Sequence, residues 1–314
     1  MAGIGASDVP RRGGTRVAAS RDMNDVGVHS SVEGPPHVLE TFGAFYPLVN
    51  LLRVYHRHSV RGLEHLRSSF DTGSPVLLVG NHCMDVVDPM MLLAVIHREL
   101  GRPFPAIAHE LVFFSLPGVR TILRKAGAVP SRHASEAEAM LRRHRALLVY
   151  PGAGQEAALR SYRREPYTLK WYGRTGFVEL ALRTGAAVHF AAGIGIDEMY
   201  YQTDIPIPRV LFDLVDGYLA QYRGLRMQLG AAGIHLVPGI FPLPVKVTHV
   251  VSPPLALDPA IDADDRQKVE LAQVRLWAEC QAILDTLVAA RRRDSDWLDR
   301  ALRAGMRGLV EAGI

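Results

Sequence analysis

One short stretch, Gly80-Asn81-His82-Cys83-Met84-Asp85-Val86-Val87-Asp88-Pro89, brings an imidazole, an amide and two carboxylates together. Imidazole ionises nearest neutrality of the common side chains, so His82 is suited to remove a proton from a substrate hydroxyl. A carboxylate within hydrogen-bond reach would fix its tautomer and stabilise the imidazolium formed, and Asp85 and Asp88 are both candidates for that partner. The same residues have a plainer use: Asn81 or Asp85 caps a helix and His82 is an ordinary polar side chain.

Two later blocks carry further polar chemistry. Gly127-Ala128-Val129-Pro130-Ser131-Arg132 ends on a guanidinium, whose planar fork suits phosphate oxygens, or on a solvated arginine ahead of a helix. In Tyr150-Pro151-Gly152-Ala153-Gly154-Gln155-Glu156, Gly152 and Gly154 would let backbone amides approach a substrate closely, and Glu156 would order the pocket or bind an acceptor hydroxyl. A plain strand-to-helix turn is the alternative. His97, His109, His133, His144, His189, His235 and His249 show no metal-ligand spacing, and Cys83 and Cys280 form no paired motif, so no metal is expected. Ser115 and Ser131 lack the Gly-x-Ser-x-Gly elbow of enzymes that form a covalent acyl-serine.

These blocks need elements that deliver them to one place. Short apolar runs at residues 75–81, 105–110, 146–152, 186–195 and 245–251 read as buried strands, with a shorter one at 126–129. Residues 89–98, 135–144 and 172–183 have helical spacing, and Ser135 with Glu138 makes a capping box. The expected class is α/β, a mostly parallel sheet covered by helices, with each chemical block at a strand end. The 314 residues carry 36 Lys+Arg against 32 Asp+Glu, 48% hydrophobic and 7% aromatic residues, which excludes a disordered or collagen-like chain. No basic run is interleaved with aromatics, so no nucleic-acid partner is expected.

The ends frame this core. Residues 1–34 contain arginines but no apolar signal region and are expected to be a disordered tail. In 35–66, Leu39, Phe42, Phe45, Leu48, Leu51, Leu52 and Tyr55 form the apolar side of a helix. Its polar edge gains Arg53, His56, Arg57, His58 and Arg61, a pattern suited to anionic headgroups or, equally, to core packing. The longest uncharged stretch, 227–245, is broken by prolines, so no membrane-spanning helix is expected. Residues 67–257 would form the main domain. In 258–314, Val269, Ala272, Leu276, Cys280, Ile283 and Leu287 make a stripe that packs on it.

With those residues in view, the chain resembles the glycerolipid acyltransferase superfamily, whose first motif is Asn-His, four residues and Asp, continuing into Pro. Asn81, His82 and Asp88-Pro89 fit, with five intervening residues instead of four, as in the diacylglycerol-acyltransferase-like branch. The blocks ending at Arg132 and Glu156 follow in the family's order, and residues 185–195 resemble its fourth, apolar block. The resemblance covers about residues 45–257. It implies an acyl-CoA-dependent O-acyltransferase with acyl-CoA as co-substrate and no cofactor, in which His82 is the base and Asp88 orients it. Asn81, Arg132, Gly152, Gly154 and Glu156 would bind substrate. The implied partners are acyl-CoA, a glycerolipid acceptor and the cytoplasmic face of a membrane. Gln155, where phosphate-acceptor members have Arg, points toward a neutral acceptor, whereas family frequency points toward a lysophospholipid or glycerol phosphate. A catalytically silent lipid-binding protein with the same fold is the alternative.

Overall fold

A computed structural model describes residues 43–83, 87–108, 121, 124–130, 134–153, 156, 165–199, 242–293, 298–302 and 304–305. Helix α1 (Tyr46–Tyr55), strand β1 (Ser59–Arg61) and helix α2 (Leu63–Asp71) lead into β2 (Val76–Gly80) and α3 (Val87–Leu100). There follow β3 (Ala106–Ala108), β4 (Ala128–Pro130), α4 (Ala134–His144), β5 (Ala146–Val149), α5 (Gly176–Thr184) and β6 (Ala187–Ile194). A short 3₁₀ turn at Ile196–Glu198, β7 (Thr248–Val251) and the 28-residue α6 (Arg266–Arg293) complete the described elements.

The sheet order is β1-β7-β6-β2-β5-β3-β4. Five strands from β6 to β4 run parallel; β7 is antiparallel to β6, and β1 runs parallel to β7. The α/β class and the mostly parallel sheet are therefore as the sequence predicts. Strand β2 is central, and all five of its residues are buried. An unbroken Val-Leu-Leu-Val run is what a strand covered on both faces requires. Its alternate residues serve different cores. Leu77 and Val79 join Leu147, Val188, Phe190 and the inner faces of α4, α5 and α6. Val76 and Leu78 join Leu148, Val49 of α1, Leu66 of α2 and Met91, Leu92 and Ile96 of α3. Each such side chain contributes about 1.5–3 kcal/mol by leaving water. The edge strands are short, and β4 ends on Pro130, which suits an edge because proline offers no N–H to a further strand.

Three local expectations need correction. Helix α4 starts at Ala134, so Ser135 lies inside it; Glu138 accepts a bond from Arg142 at 2.9 Å instead of closing a capping box. Helix α5 starts at Gly176, not 172, because Tyr172 and Gly173 both hold positive φ. The 35–66 segment is not one helix: α1 ends at Tyr55, Arg57 takes φ 45°, and the chain turns into β1, which pairs with β7. That turn buries His56 and His58, and Arg57 donates to Asp299 and to the Pro244 carbonyl. Of the expected headgroup-facing edge, these three side chains face protein. The C-terminal stripe packs as expected, with Val269, Ala272, Leu276 and Cys280 in the core.

Candidate active site

Strands β5, β2 and β6 are neighbours, and their C-terminal ends deliver the chemical blocks to one edge of the sheet. Asn81 follows β2 and is buried; its amide donates to the Gly193 carbonyl at 3.0 Å and accepts from the Gly193 N–H at 2.7 Å. Both ends of that side chain therefore tie the β2 exit to β6. His82 comes next and is only half-buried. Its ring stacks on Tyr150 with centroids 4.8 Å apart and planes 28° from parallel, which restrains the imidazole.

Glu156 joins the first block to the third. Its buried carboxylate accepts a 3.3 Å hydrogen bond from the His82 backbone N–H through Oε1. Gly152 makes this possible, since a Cβ there would overlap the Glu156 carboxylate. Arg174, just ahead of α5, donates to the carbonyls of Pro151 and Gly152 and so clamps the turn from outside. Burial pulls the Arg174 pKa down, while nearby Tyr172 and Glu156 favour its charge. At Gly80 a Cβ would press into the Tyr150 ring, so the β2 exit and the Tyr150 turn touch directly.

Asp88 is fully buried in the first turn of α3, where the helix dipole favours a carboxylate. The Cys83 thiol approaches Oδ1 at 3.1 Å, and His249 Nε2 of β7 lies 4.0 Å from Oδ2. Asn81, His82, Asp88, Gly152 and Glu156 are thus placed at one sheet edge. Asp85, Arg132, Gly154 and Gln155 lie outside the described residues, as does the apolar stretch 111–116. Among the described residues no group of three or more His, Cys, Asp and Glu is arranged to hold a metal ion. Two small cavities, of about 140 and 130 Å³, are lined by residues around Arg291 and Asp299 and by neither His82 nor Asp88.

A model of the Acyltransferase family matches residues 57–206, a span that begins at the turn before β1 and runs past β6 and the 3₁₀ turn. Residues 57–206 are thus similar to acyltransferase-family domains. An uncharacterized protein of Mycobacterium leprae is 30% identical over 244 residues, covering 76% of this chain and 62% of that protein. Uncharacterized proteins of Mycobacterium bovis and Mycobacterium tuberculosis are 28% identical over the same length, covering 63% of each. The chain thus spans less than two thirds of the relatives it matches. Strand β7, with His249, and helix α6 lie beyond the segment that matches the acyltransferase model.

Reasoning from sequence missed Tyr150, Arg174 and His249 as parts of this edge. A tyrosine directly before a Pro-Gly turn was a usable signal for the first. Arg174 and His249 become neighbours of the site only through the sheet order.

Proposed function

We propose that this acyltransferase domain moves a fatty acyl group from acyl-CoA to a hydroxyl of a glycerolipid. The observation that carries the proposal is the Glu156 hydrogen bond to the His82 backbone, which locks the two family blocks together beside a buried Asp88. His82 takes the proton from the acceptor hydroxyl, with Asp88 orienting the imidazole. The oxygen attacks the thioester carbonyl, a C–O bond forms, the C–S bond breaks, and the departing thiolate regains the proton from His82. Charge developing on the carbonyl oxygen requires donors worth about 3–4 kcal/mol, and backbone amides near Gly152 or Gly154 are the candidates.

Membrane attachment belongs to the same proposal. On α1, Leu48, Leu51, Val54 and Tyr55 are 55%, 66%, 75% and 45% exposed, an apolar face open to an interface. No described helix is long and apolar enough to cross a membrane.

The test is CoA release from palmitoyl-CoA by the purified full chain, with lysophosphatidic acid or diacylglycerol as acceptor. Release with one acceptor, reduced about 10³-fold by His82→Ala, is expected and selects the acceptor class. Release that persists unchanged in His82→Ala overturns the role of His82. No release with either acceptor, with lipid binding intact, favours the silent lipid-binding alternative.

A further inference from the structure

A line of polar groups leads from the half-buried Arg53 of helix α1 through buried His58 and His249 to buried Asp88, and the proposed acyl transfer does not use it. Arg53 Nε donates to His58 Nδ1 at 3.3 Å. His58 Nε2 lies 2.9 Å from His249 Nδ1, and His249 Nε2 lies 4.0 Å from Asp88 Oδ2. The groups come from α1, the turn before β1, β7 and α3, so the fold brings four separate segments to one line.

The direction of this line follows from valence. A guanidinium can only donate, so His58 Nδ1 is the bare nitrogen and its proton sits on Nε2. That proton is donated to His249 Nδ1, which places the His249 proton on Nε2, facing the carboxylate. Each link therefore points a proton toward Asp88. The ring has its place because β6 opposite it carries Gly193: the two residues are in register, and a Cβ there would stand 3.2 Å from His249 Nε2. Gly193 is also the residue whose N–H and C=O are both held by Asn81, so the first block is fixed to the strand that seats His249.

The middle of the line carries little charge. Burial pulls the His249 pKa down to about 3. Burial, then His249, Arg53 and His56, pull that of His58 down to about 2. Burial and Arg98 of α3 lower that of Arg53, while Glu99 favours its charge. On its other oxygen Asp88 meets the Cys83 thiol. Near neutral pH both imidazoles are thus uncharged, and they present dipoles to Asp88 without competing for its negative charge.

We infer that His249, held in one tautomer by His58, is a positioning residue of this site that keeps Asp88 ionised and aimed for its work on His82. The inference rests on the His82–Asp88 reading above. At 4.0 Å the contact is a dipole facing a charge.

The experiment uses the full chain with ¹⁵N-labelled histidine and ¹³C-labelled aspartate, read by NMR across pH, beside the CoA-release assay. Both rings are expected as neutral Nε2–H tautomers from about pH 5.5 to 8.5. An Nδ1–H tautomer, or either ring protonating above about pH 6, overturns the inference. In His249→Leu the Asp88 carboxyl should titrate about one pH unit higher, and His249→Gln, which keeps an N–H near the Nε2 position, should restore it. An unmoved Asp88 titration in His249→Leu also overturns it. In the assay, His249→Leu should lower kcat about tenfold with KM unchanged and shift the acid limb upward, with Gln restoring both. If His249→Leu does not fold, His58→Leu removes only the lock, and His249 should then show both tautomers; a single unchanged tautomer again overturns the inference. If the wild-type chain shows no His82-dependent transfer, the function above fails, while the NMR arms still decide the role of His249.

Discussion

Two buried polar clusters flank the β6–β7 pair, and they solve the same problem in opposite ways. On one side Arg291, in the last turn of α6, meets Glu198 at 2.9 Å and Asp299 at 3.5 Å, and donates to the Lys246 carbonyl. Glu198 in turn accepts from the Tyr167 hydroxyl, and Arg57 pairs with Asp299 at 2.8 Å. Carboxylates there are matched by full cationic charge. On the other side, the groups around Asp88 include a thiol and a neutral imidazole. Full pairing suits an anchor, because a guanidinium holds its proton across the working pH range. Neutral donors suit a carboxylate that must respond to a neighbouring group changing its charge.

The comparison breaks most visibly with acid. A histidine with a depressed pKa binds no proton in the folded chain above that value, whereas the unfolded chain takes one near pH 6.5. Its contribution to stability is therefore complete above about pH 6.5 and is lost as pH falls toward the folded pKa, about 3 for His249 and about 2 for His58. Each costs about 1.4 kcal/mol per pH unit, so the pair alone removes about 5 kcal/mol between pH 6.5 and 4.5. His56, His97 and His189 are lowered by burial and act in the same direction. Urea midpoints should fall steeply over that window. A flat profile from pH 7 to 4.5 would show that the imidazole cluster is not buried and neutral.

The anchor should fail to mutation instead. Arg291→Met leaves Glu198 facing the Tyr167 hydroxyl and Asp299 with Arg57, and should cost about 3 kcal/mol. Urea unfolding at pH 7 measures this, with the m-value unchanged. Acyl transfer per folded molecule should stay within about twofold, since Arg291 touches neither His82 nor Asp88. A large loss of kcat at full stability would instead place the anchor inside the site.

What the sequence exposed and what it hid divide along the same line. Strands β2, β5 and β6 are legible because a central strand is apolar at nearly every position, and the ends of β2 and β5 led directly to His82 and Glu156. Strand β1 is Ser-Val-Arg, too short and mixed to show a period, and β7 was legible as an apolar run but not as an antiparallel one. His58 and His249 are 191 positions apart, so only their pairing in space shows either to be more than a polar side chain. The positive φ at Arg57 also hid the fate of the basic edge, because one turned residue sends His56 and His58 inward. The bond from the His82 backbone to Glu156 was equally out of reach, since Glu156 was legible as a site residue but not as a partner of that amide.

Helix α1 offers the smallest expected effect on the fold and a clean separation of its two sides. Its inner side carries Val49 into the core, and its Arg53 starts the line to Asp88. Its outer side carries Leu51 and Val54, well exposed. Replacing both, Leu51→Ser with Val54→Ser, removes little buried area and should change stability by under about 0.5 kcal/mol. If that face lies in a lipid interface, the same double variant should lose most of its co-sedimentation with phosphatidylglycerol vesicles while its turnover of detergent-dispersed acceptor is kept. Unchanged co-sedimentation would remove α1 from the membrane contact. A drop in turnover on dispersed acceptor would mean that the outer side of α1 reaches the same line that Arg53 begins.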